Sequence, residues 1–340
     1  MAPLPGVGFG AALDLDLGAW LPAPPPALGA FLRRALDDHA VLVFRGSGAP
    51  ALDAAQLVAL HALFEHDADA PPQAYHRGMC RLWRRGLPQV NLLANRAVAG
   101  ASTAAAGALD DDGEPCVAGK VYGMEAFAWH SDEASRPGGL PVRATAFHAD
   151  AVPAGADGET HFADARLRGG AAAALAGYDV VYASNAATRD AVLAPFDVAG
   201  KRDGFLRPDG FAKRGSAEAA AHAADLLEGC ARLGLCEVHA SPLVAAHPRT
   251  GVPALHLDVK QQLGISGLAF GDAQDLLARV VGAAAAPDRV YRHRWAVGDV
   301  VVTDNYAALH TAAPGDAFND EPRMIARVCL PGGHVPSAPT

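Results

Sequence analysis

The chain has 340 residues and a formal net charge of −9, from 28 Lys and Arg against 37 Asp and Glu. No basic run exceeds two residues, which argues against a nucleic-acid groove or a polybasic membrane surface, so any anion must be held by individual arginines. The five cysteines, Cys80, Cys116, Cys230, Cys236 and Cys329, are odd in number and contain no Cys-x-x-Cys pair, indicating neither a disulfide framework nor a zinc knuckle and pointing to a reducing compartment.

The N-terminus has no basic residue before Arg33 and is interrupted by Asp14 and Asp16, unlike a secretory signal. No apolar run approaches a membrane span. A cytoplasmic protein without membrane or nucleic-acid partners is expected. The length suffices to bury about three quarters of the unfolded surface. That length allows one large domain or two modest ones; a single domain over 1–340 is the expectation, no internal repeat is visible, and homo-oligomerisation is left open.

In chain order, Gly6 to Leu17 reads as a short strand with turns, and Leu28 to His39 as an amphipathic helix following the Pro24-Pro25-Pro26 stop. The run from Ala40 to Gly46 is apolar, β-branched and closed by glycine, which predicts a buried strand. A helix follows from Ala51 to Phe64, then a short strand from Gln89 to Asn95. Between Ala99 and Lys120 the composition shifts to Ala, Gly, Ser and Asp, predicting a mobile surface loop. Strand signals alternate with Pro and Gly turns at Val142 to Phe147 and Gly158 to Phe162, as in an antiparallel sandwich or barrel. Residues 187–233 change character and predict a helical insertion, with Ser216 to Gly229 as its helix. Strands resume at Leu243 to Ala245 and Ala254 to Leu257, joined by a turn at His247 to Gly251. The last set is Val290 to Trp295, Asp299 to Thr303 and Met324 to Leu330.

The chemistry centres on Phe127-Ala128-Trp129-His130-Ser131-Asp132-Glu133. In an extended strand, residues i and i+2 point to one side, so His130 and Asp132 can reach one metal ion. With a second histidine they would form a 2-His-1-carboxylate face, the ligand set of non-haem Fe(II) oxygenases. Three His-x-Asp pairs occur in the chain. The pairs His148/Asp150 and His256/Asp258 lie in apolar, strand-like runs and read as satisfied core histidines with strand-end aspartates. The pair at 130–132 differs, because breaker-rich Arg136-Pro137-Gly138-Gly139 follows it and suggests a strand mouth.

Towards the C-terminus, Gly298-Asp299 and Asp304-Asn305 lead to His310, read as lying on a polar turn. Thirteen residues later comes Arg323-Met324-Ile325-Ala326-Arg327. In a strand, Arg323, Ile325 and Arg327 share one face, which would direct two arginines inward. A buried guanidinium is costly unless it forms charge-assisted bonds, so the pair points either to anionic ligands or to partners among Asp304, Asp316 and Asp320. Thr160, in Gly158-Glu159-Thr160-His161-Phe162-Ala163-Asp164, places a hydroxyl on a strand.

Taken in order, Trp-His-Ser-Asp, Gly-Glu-Thr-x-Phe-Ala-Asp, Gly-Asp-x-x-x-x-Asp-Asn-x-x-x-x-His and Arg-x-x-x-Arg resemble the motifs of the taurine dioxygenase-like (TauD/TfdA) Fe(II)/2-oxoglutarate-dependent oxygenases. The likeness runs from Gly6-Val7-Gly8-Phe9-Gly10, through Ser241-Pro242-Leu243-Val244 and His247-Pro248-Arg249-Thr250-Gly251, to Arg327. It implies a mainly β protein with flanking helices around a double-stranded β-helix, or jelly-roll, core. It further implies iron bound by His130, Asp132 and His310, the distal carboxylate of 2-oxoglutarate held by Thr160 and Arg323, and an anionic group of a small substrate held by Arg327. The roles of the two arginines are exchangeable on the motif alone. The chain departs from the family in having Thr303 where a tryptophan is frequent, Tyr306 where an arginine is frequent, and Ala126 at the position of a taurine-binding asparagine.

The implied reaction consumes 2-oxoglutarate and O2, releases succinate and CO2, and hydroxylates a C–H bond. Desaturation or cleavage through an unstable hydroxylated product stays open. Asp132 occupies the ligand position that related halogenases leave for halide, which favours hydroxylation. Two readings from other classes are a jelly-roll binding protein without turnover and a zinc or manganese hydrolase using the same triad.

Overall fold

The structure, a computed structural model, describes residues 1–45, 52–65, 83–84, 87–94, 101–102, 129–132, 134–135, 142–153, 158–183, 238–259, 261–268, 270–313 and 323–331. The expected insertion at 187–233 lies outside them, as do Ala126 and 136–139. So does the expected loop at 99–120, apart from a two-residue strand at Ala101–Ser102.

The first strands are β1 (Ala2–Pro3), β2 (Ala11–Leu13), β3 (Val41–Phe44), β4 (Trp83–Arg84), β5 (Leu87–Ala94) and β6 (Ala101–Ser102). They are followed by β7 (Val142–Ala151), β8 (Thr160–Asp164), β9 (Asp179–Ala183), β10 (Val238–Pro242), β11 (Val244–Ala246), β12 (Pro253–Leu255) and β13 (Gln262–Ile265). The last are β14 (Val290–His293), β15 (Val300–Asp304), β16 (Ala308–Ala312) and β17 (Met324–Pro331). The helices are α1 (Leu17–Trp20), α2 (Pro26–His39), α3 (Ala54–Ala62), α4 (Ala171–Leu175) and α5 (Phe270–Ala284).

Helix α2 starts with Pro26, where a missing N–H costs nothing because the first turn has no acceptor for it. It ends at Ala40, whose φ of 65° is left-handed and whose N–H returns to the Leu36 carbonyl at 2.7 Å. That reversal feeds the chain directly into β3, all four residues of which are buried. Helix α3 begins with a capping box in which Asp53 Oδ1 accepts from Gln56 N and Gln56 Oε1 accepts from Asp53 N.

The major sheet has nine strands in the order β1-β2-β3-β15-β7-β17-β5-β4-β6. Alternation along its strands makes two apolar faces. Ala144, Ala146, Val300, Val302, Ala326 and Val328 face outward against Leu32 and Leu36 of α2 and Leu57 and Leu60 of α3. Each such leucine, fully buried, contributes about 1.5–3 kcal/mol. The inner face presents Val41, Val43, Phe147, Ala149, Val301 and Ile325 to Phe162, Tyr291 and Ala308 of a second sheet, ordered β14-β8-β16. Two facing sheets, antiparallel except for the β2–β3 pair, with helices on the outside form the expected jelly-roll core. A third apolar cluster joins α5 to the sheet β10-β9-β13 through Leu276, Leu277, Val180, Tyr182 and Ile265.

Candidate metal centre

The strand geometry places the three distant residues. His310 lies in β16, not on a turn: the turn is Asn305 to Ala307, and pairing with β8 sets His310 opposite Phe162. His130 joins the same sheet by a reciprocal pair of backbone bonds to His310, N to O at 3.0 and 2.9 Å. The two rings are thereby brought to a centroid distance of 4.3 Å. Asp132, two residues on, is anchored from below: its N–H donates to Asn305 Oδ1 at 3.0 Å and its Oδ2 accepts from Thr145 Oγ1 at 2.6 Å. Its Oδ1 then lies 3.7 Å from His130 Nε2 and 3.8 Å from His310 Nε2. Ligand atoms of the three residues all fall within 4.8 Å of one another.

The protonation states suit a cation. Burial, reinforced by His130 and Arg327, pushes the His310 imidazole down to about 3, so its ring is neutral near pH 7. Burial alone would raise the Asp132 carboxyl, but the Arg327 guanidinium, His310 and His130 outweigh it and hold the carboxyl well below its usual range. Two imidazoles and a charged carboxylate form the donor set of non-haem iron centres. The 3.7 and 3.8 Å separations fall within the ~4.2 Å that two bonds of about 2.1 Å can span. The residues therefore fit a first-row divalent metal. Among the described residues His310 Nδ1 makes no hydrogen bond, and the ring is held instead by Phe147 at 5.5 Å, edge-on, and Phe162 at 6.0 Å, stacked.

The other expected residues surround this triad. Thr160 lies on β8 two residues from Phe162, making it a diagonal neighbour of His310 on the same face, typically about 7–8 Å away. Trp295 Nε1 donates to Thr160 Oγ1 at 2.9 Å, which leaves the hydroxyl proton available for another acceptor. Arg323 is buried just before β17, where its Nε donates to the Gly158 carbonyl at 3.2 Å. Burial pushes its guanidinium down to about 10. Arg327 points to the sheet interior and donates from Nη1 to Asp132 Oδ1 at 2.9 Å. The inward arginine expectation thus holds: Met324 and Ala326 pack in the outer cluster and Ile325 in the inner one, so the alternation of β17 is kept while the bulge falls on β7, and Arg327 pairs with Asp132 instead of Asp304.

The two other His-x-Asp pairs are not part of the triad. His148 bonds Asp150 at 2.8 Å, and alternation places it on the outer face. His256 departs from expectation, since neither ring nitrogen finds a hydrogen-bond partner among the described residues and the ring instead stacks on Tyr306 at 5.3 Å. Asp37, His247 and Asp304 also gather ligand atoms within 4.8 Å. There, however, Arg143 and Arg249 reach Asp37 at 3.4 and 2.8 Å and His247 bonds Asp304 at 3.0 Å, so arginine already supplies the cation. Reading motifs alone misses Thr145, Trp295 and the side chain of Asn305. Only the Asp-Asn pair carries a signal.

A family model described as taurine catabolism dioxygenase TauD, TfdA family matches residues 1–329. Among curated proteins, the chain is 40% identical over 75 residues to a (S)-phenoxypropionate/alpha-ketoglutarate-dioxygenase of Sphingobium herbicidovorans, covering 22% of this chain and 26% of that protein. It is 38% identical over 97 residues to an alpha-ketoglutarate-dependent sulfate ester dioxygenase of Pseudomonas putida, covering 28% and 30%. The aligned stretches thus span between a quarter and a third of those relatives. The fold is similar to a crystal structure of a taurine dioxygenase from Burkholderia xenovorans, with TM-score 0.62 and 22% identity over 99% of this chain and 90% of that one. It is likewise similar to AAD-2 in complex with Mn(II) and N-oxalylglycine, with TM-score 0.61 and 20% identity over 97% and 96%.

Proposed function

The chain belongs to the taurine catabolism dioxygenase TauD, TfdA family, and from that premise we propose that it is an Fe(II)- and 2-oxoglutarate-dependent dioxygenase hydroxylating a C–H bond of a small anionic substrate. The observation that carries this reading is the convergence of His130, Asp132 and His310, drawn from distant parts of the chain, on one point. These three residues would hold the iron, leaving positions for 2-oxoglutarate and O2. Bound there, the metal supplies the redox chemistry that couples 2-oxoglutarate and O2 to succinate, CO2 and a hydroxylated product.

The protein's share is placement. Thr160 and Arg323 would receive the distal carboxylate of 2-oxoglutarate: Thr160, one diagonal step from His310, offers a hydroxyl proton, and Arg323 offers a buried guanidinium. Arg327 would receive the substrate's anion beside Asp132. Phe147, Phe162 and the inner apolar face restrict water around the reacting atoms. The relatives' names include a phenoxypropionate and sulfate esters, both an oxyanion on an organic body, and a single guanidinium suits either. Because both halves of the chain supply the triad, we read 1–340 as one oxygenase domain. A cytoplasmic location belongs to the same reading. Among the described residues no helix is long and apolar enough to cross a membrane.

Under anaerobic Fe(II) and 2-oxoglutarate, the protein should develop a weak visible charge-transfer absorption. His310→Ala should lose both this band and succinate formation with a panel of aryloxyacids and sulfate esters. Normal turnover in His310→Ala would remove that residue from the triad.

A further inference from the structure

The two oxygens of Asp132 have different surroundings. Oδ1 faces both imidazoles and accepts from Arg327, whereas Oδ2 accepts from Thr145 Oγ1 at 2.6 Å. Thr145 sits on β7 between Thr303 of β15 and Cys329 of β17, with its side chain on the inner face. Its hydroxyl also receives Asn305 Nδ2–H at 3.0 Å, and Asn305 Oδ1 in turn receives the Asp132 backbone N–H at 3.0 Å. That ring of three bonds closes in one sense only. A backbone N–H needs the amide oxygen, so the amide nitrogen must face Thr145. A hydroxyl that accepts from the amide must then direct its single proton elsewhere. Asp132 Oδ2 is the strong acceptor within reach, since Cys329 Sγ is 3.9 Å away. All three side chains are buried, where such bonds are stronger than in water.

We propose that Thr145, oriented by Asn305, is a positioning residue that reserves Asp132 Oδ2 and so limits the carboxylate to one donor oxygen toward the metal, keeping space for both donor atoms of 2-oxoglutarate. The inference rests on the metal-centre reading above. Without the hydroxyl, Oδ2 is free to turn toward the cation and chelate it, competing with 2-oxoglutarate for a position.

The consequence is a split of opposite signs. Calorimetry with Mn(II), and then with 2-oxoglutarate added to the Mn(II)-loaded protein, separates the two steps. Thr145→Val should keep or tighten Mn(II) binding while weakening 2-oxoglutarate binding roughly tenfold, the lower end of effects from residues that support a metal ligand. Thr145→Ser should restore both, and Asn305→Ala should repeat the Val pattern more weakly. These last two variants carry the test if Thr145→Val does not fold. Parallel weakening of Mn(II) and 2-oxoglutarate without rescue by serine would reduce Thr145 to a general packing role, and unchanged 2-oxoglutarate affinity in Thr145→Val and Asn305→Ala would overturn the proposal. If the unsubstituted protein binds no Mn(II), the metal-centre reading fails first and takes this inference with it.

Discussion

Arg327 Nη1 and Asp132 Oδ1 lie 2.9 Å apart, so the guanidinium donates to the same oxygen that faces both imidazoles. The pair is largely shielded, with side-chain exposures of 13% and 4%, so its attraction is less screened than that of a surface bridge. Arg327 is thus fixed beside the point where the triad converges.

Arg327→Ala should therefore raise the KM for the primary substrate by roughly 10- to 100-fold, the equivalent of one lost charge-assisted interaction of about 1.5–3 kcal/mol. The corresponding constant for the co-substrate, 2-oxoglutarate, should move less. Steady-state kinetics with each substrate varied in turn reads the two constants, and a larger effect on the co-substrate would exchange the roles of Arg327 and Arg323.

At the proposed 2-oxoglutarate subsite, Trp295 bonds Thr160, and Arg323 bonds the Gly158 carbonyl two residues before Thr160. The indole N–H occupies the Thr160 oxygen and so frees its proton, while burial disfavours the charge on the Arg323 guanidinium and makes an incoming carboxylate a favourable neighbour. Thr160→Val should weaken 2-oxoglutarate binding about 10- to 100-fold, the value of one hydrogen bond to a charged group, and Arg323→Ala by at least as much. Trp295→Phe, which keeps a ring but loses the donor, should produce a small loss of the same kind. Titration of the charge-transfer band measures all three, and an unchanged dissociation constant in Arg323→Ala would exclude it from this subsite.

Stability should depend on pH through buried imidazoles, among them His61 and His256, which are not members of the triad. Burial pushes His61 down to about 3 and His256 to about 4. In the unfolded chain both take up protons below about pH 6.5. Between about pH 6.5 and 4 the unfolded state thus binds up to two more protons than the folded one, and stability falls as the pH is lowered, by at most about 2.7 kcal/mol per unit. Replacing His256 with Phe should reduce the slope by up to about 1.4 kcal/mol per unit in chemical denaturation measured across the window. A slope unaltered by the substitution would mean that His256 is protonated in the folded protein.

How much of this is legible in the sequence depends on whether the signal is local. The β-branched run Val41–Phe44 announces a buried strand, and Asp53 with Gln56 marks a helix start, because both are short-range effects. His310 follows from the motif as a ligand, yet the polar Asp304-Asn305 pair before it suggests a turn where the structure has a strand. Ala308-Leu309-His310-Thr311-Ala312 has little intrinsic strand preference, and pairing with β8 decides its conformation. Helix α5 goes unread although Ala273, Leu276, Leu277, Val281 and Ala284 are all buried at helical spacing, a signal the sequence does contain. Thr145 is invisible to such reading, because its role depends on an aspartate 13 residues away and an asparagine 160 residues away.

The second acid and histidine cluster provides a control on the first. Asp37 is half-buried between the buried Arg143 and the more exposed Arg249, and Arg143 also donates to the Phe64 carbonyl, so this carboxylate already has its cations. Burial lowers the Arg143 guanidinium, against the pull of Asp304 and Asp37, which indicates how much its charge depends on those carboxylates. Removing one partner from a buried ion pair leaves an uncompensated charge, so Asp37→Ala should cost about 3 kcal/mol or more in chemical denaturation. It should leave Mn(II) affinity untouched, and the unsubstituted protein should bind one Mn(II) per chain. A second equivalent of bound Mn(II) that disappears in Asp37→Ala would show that the arginines yield this site to a metal.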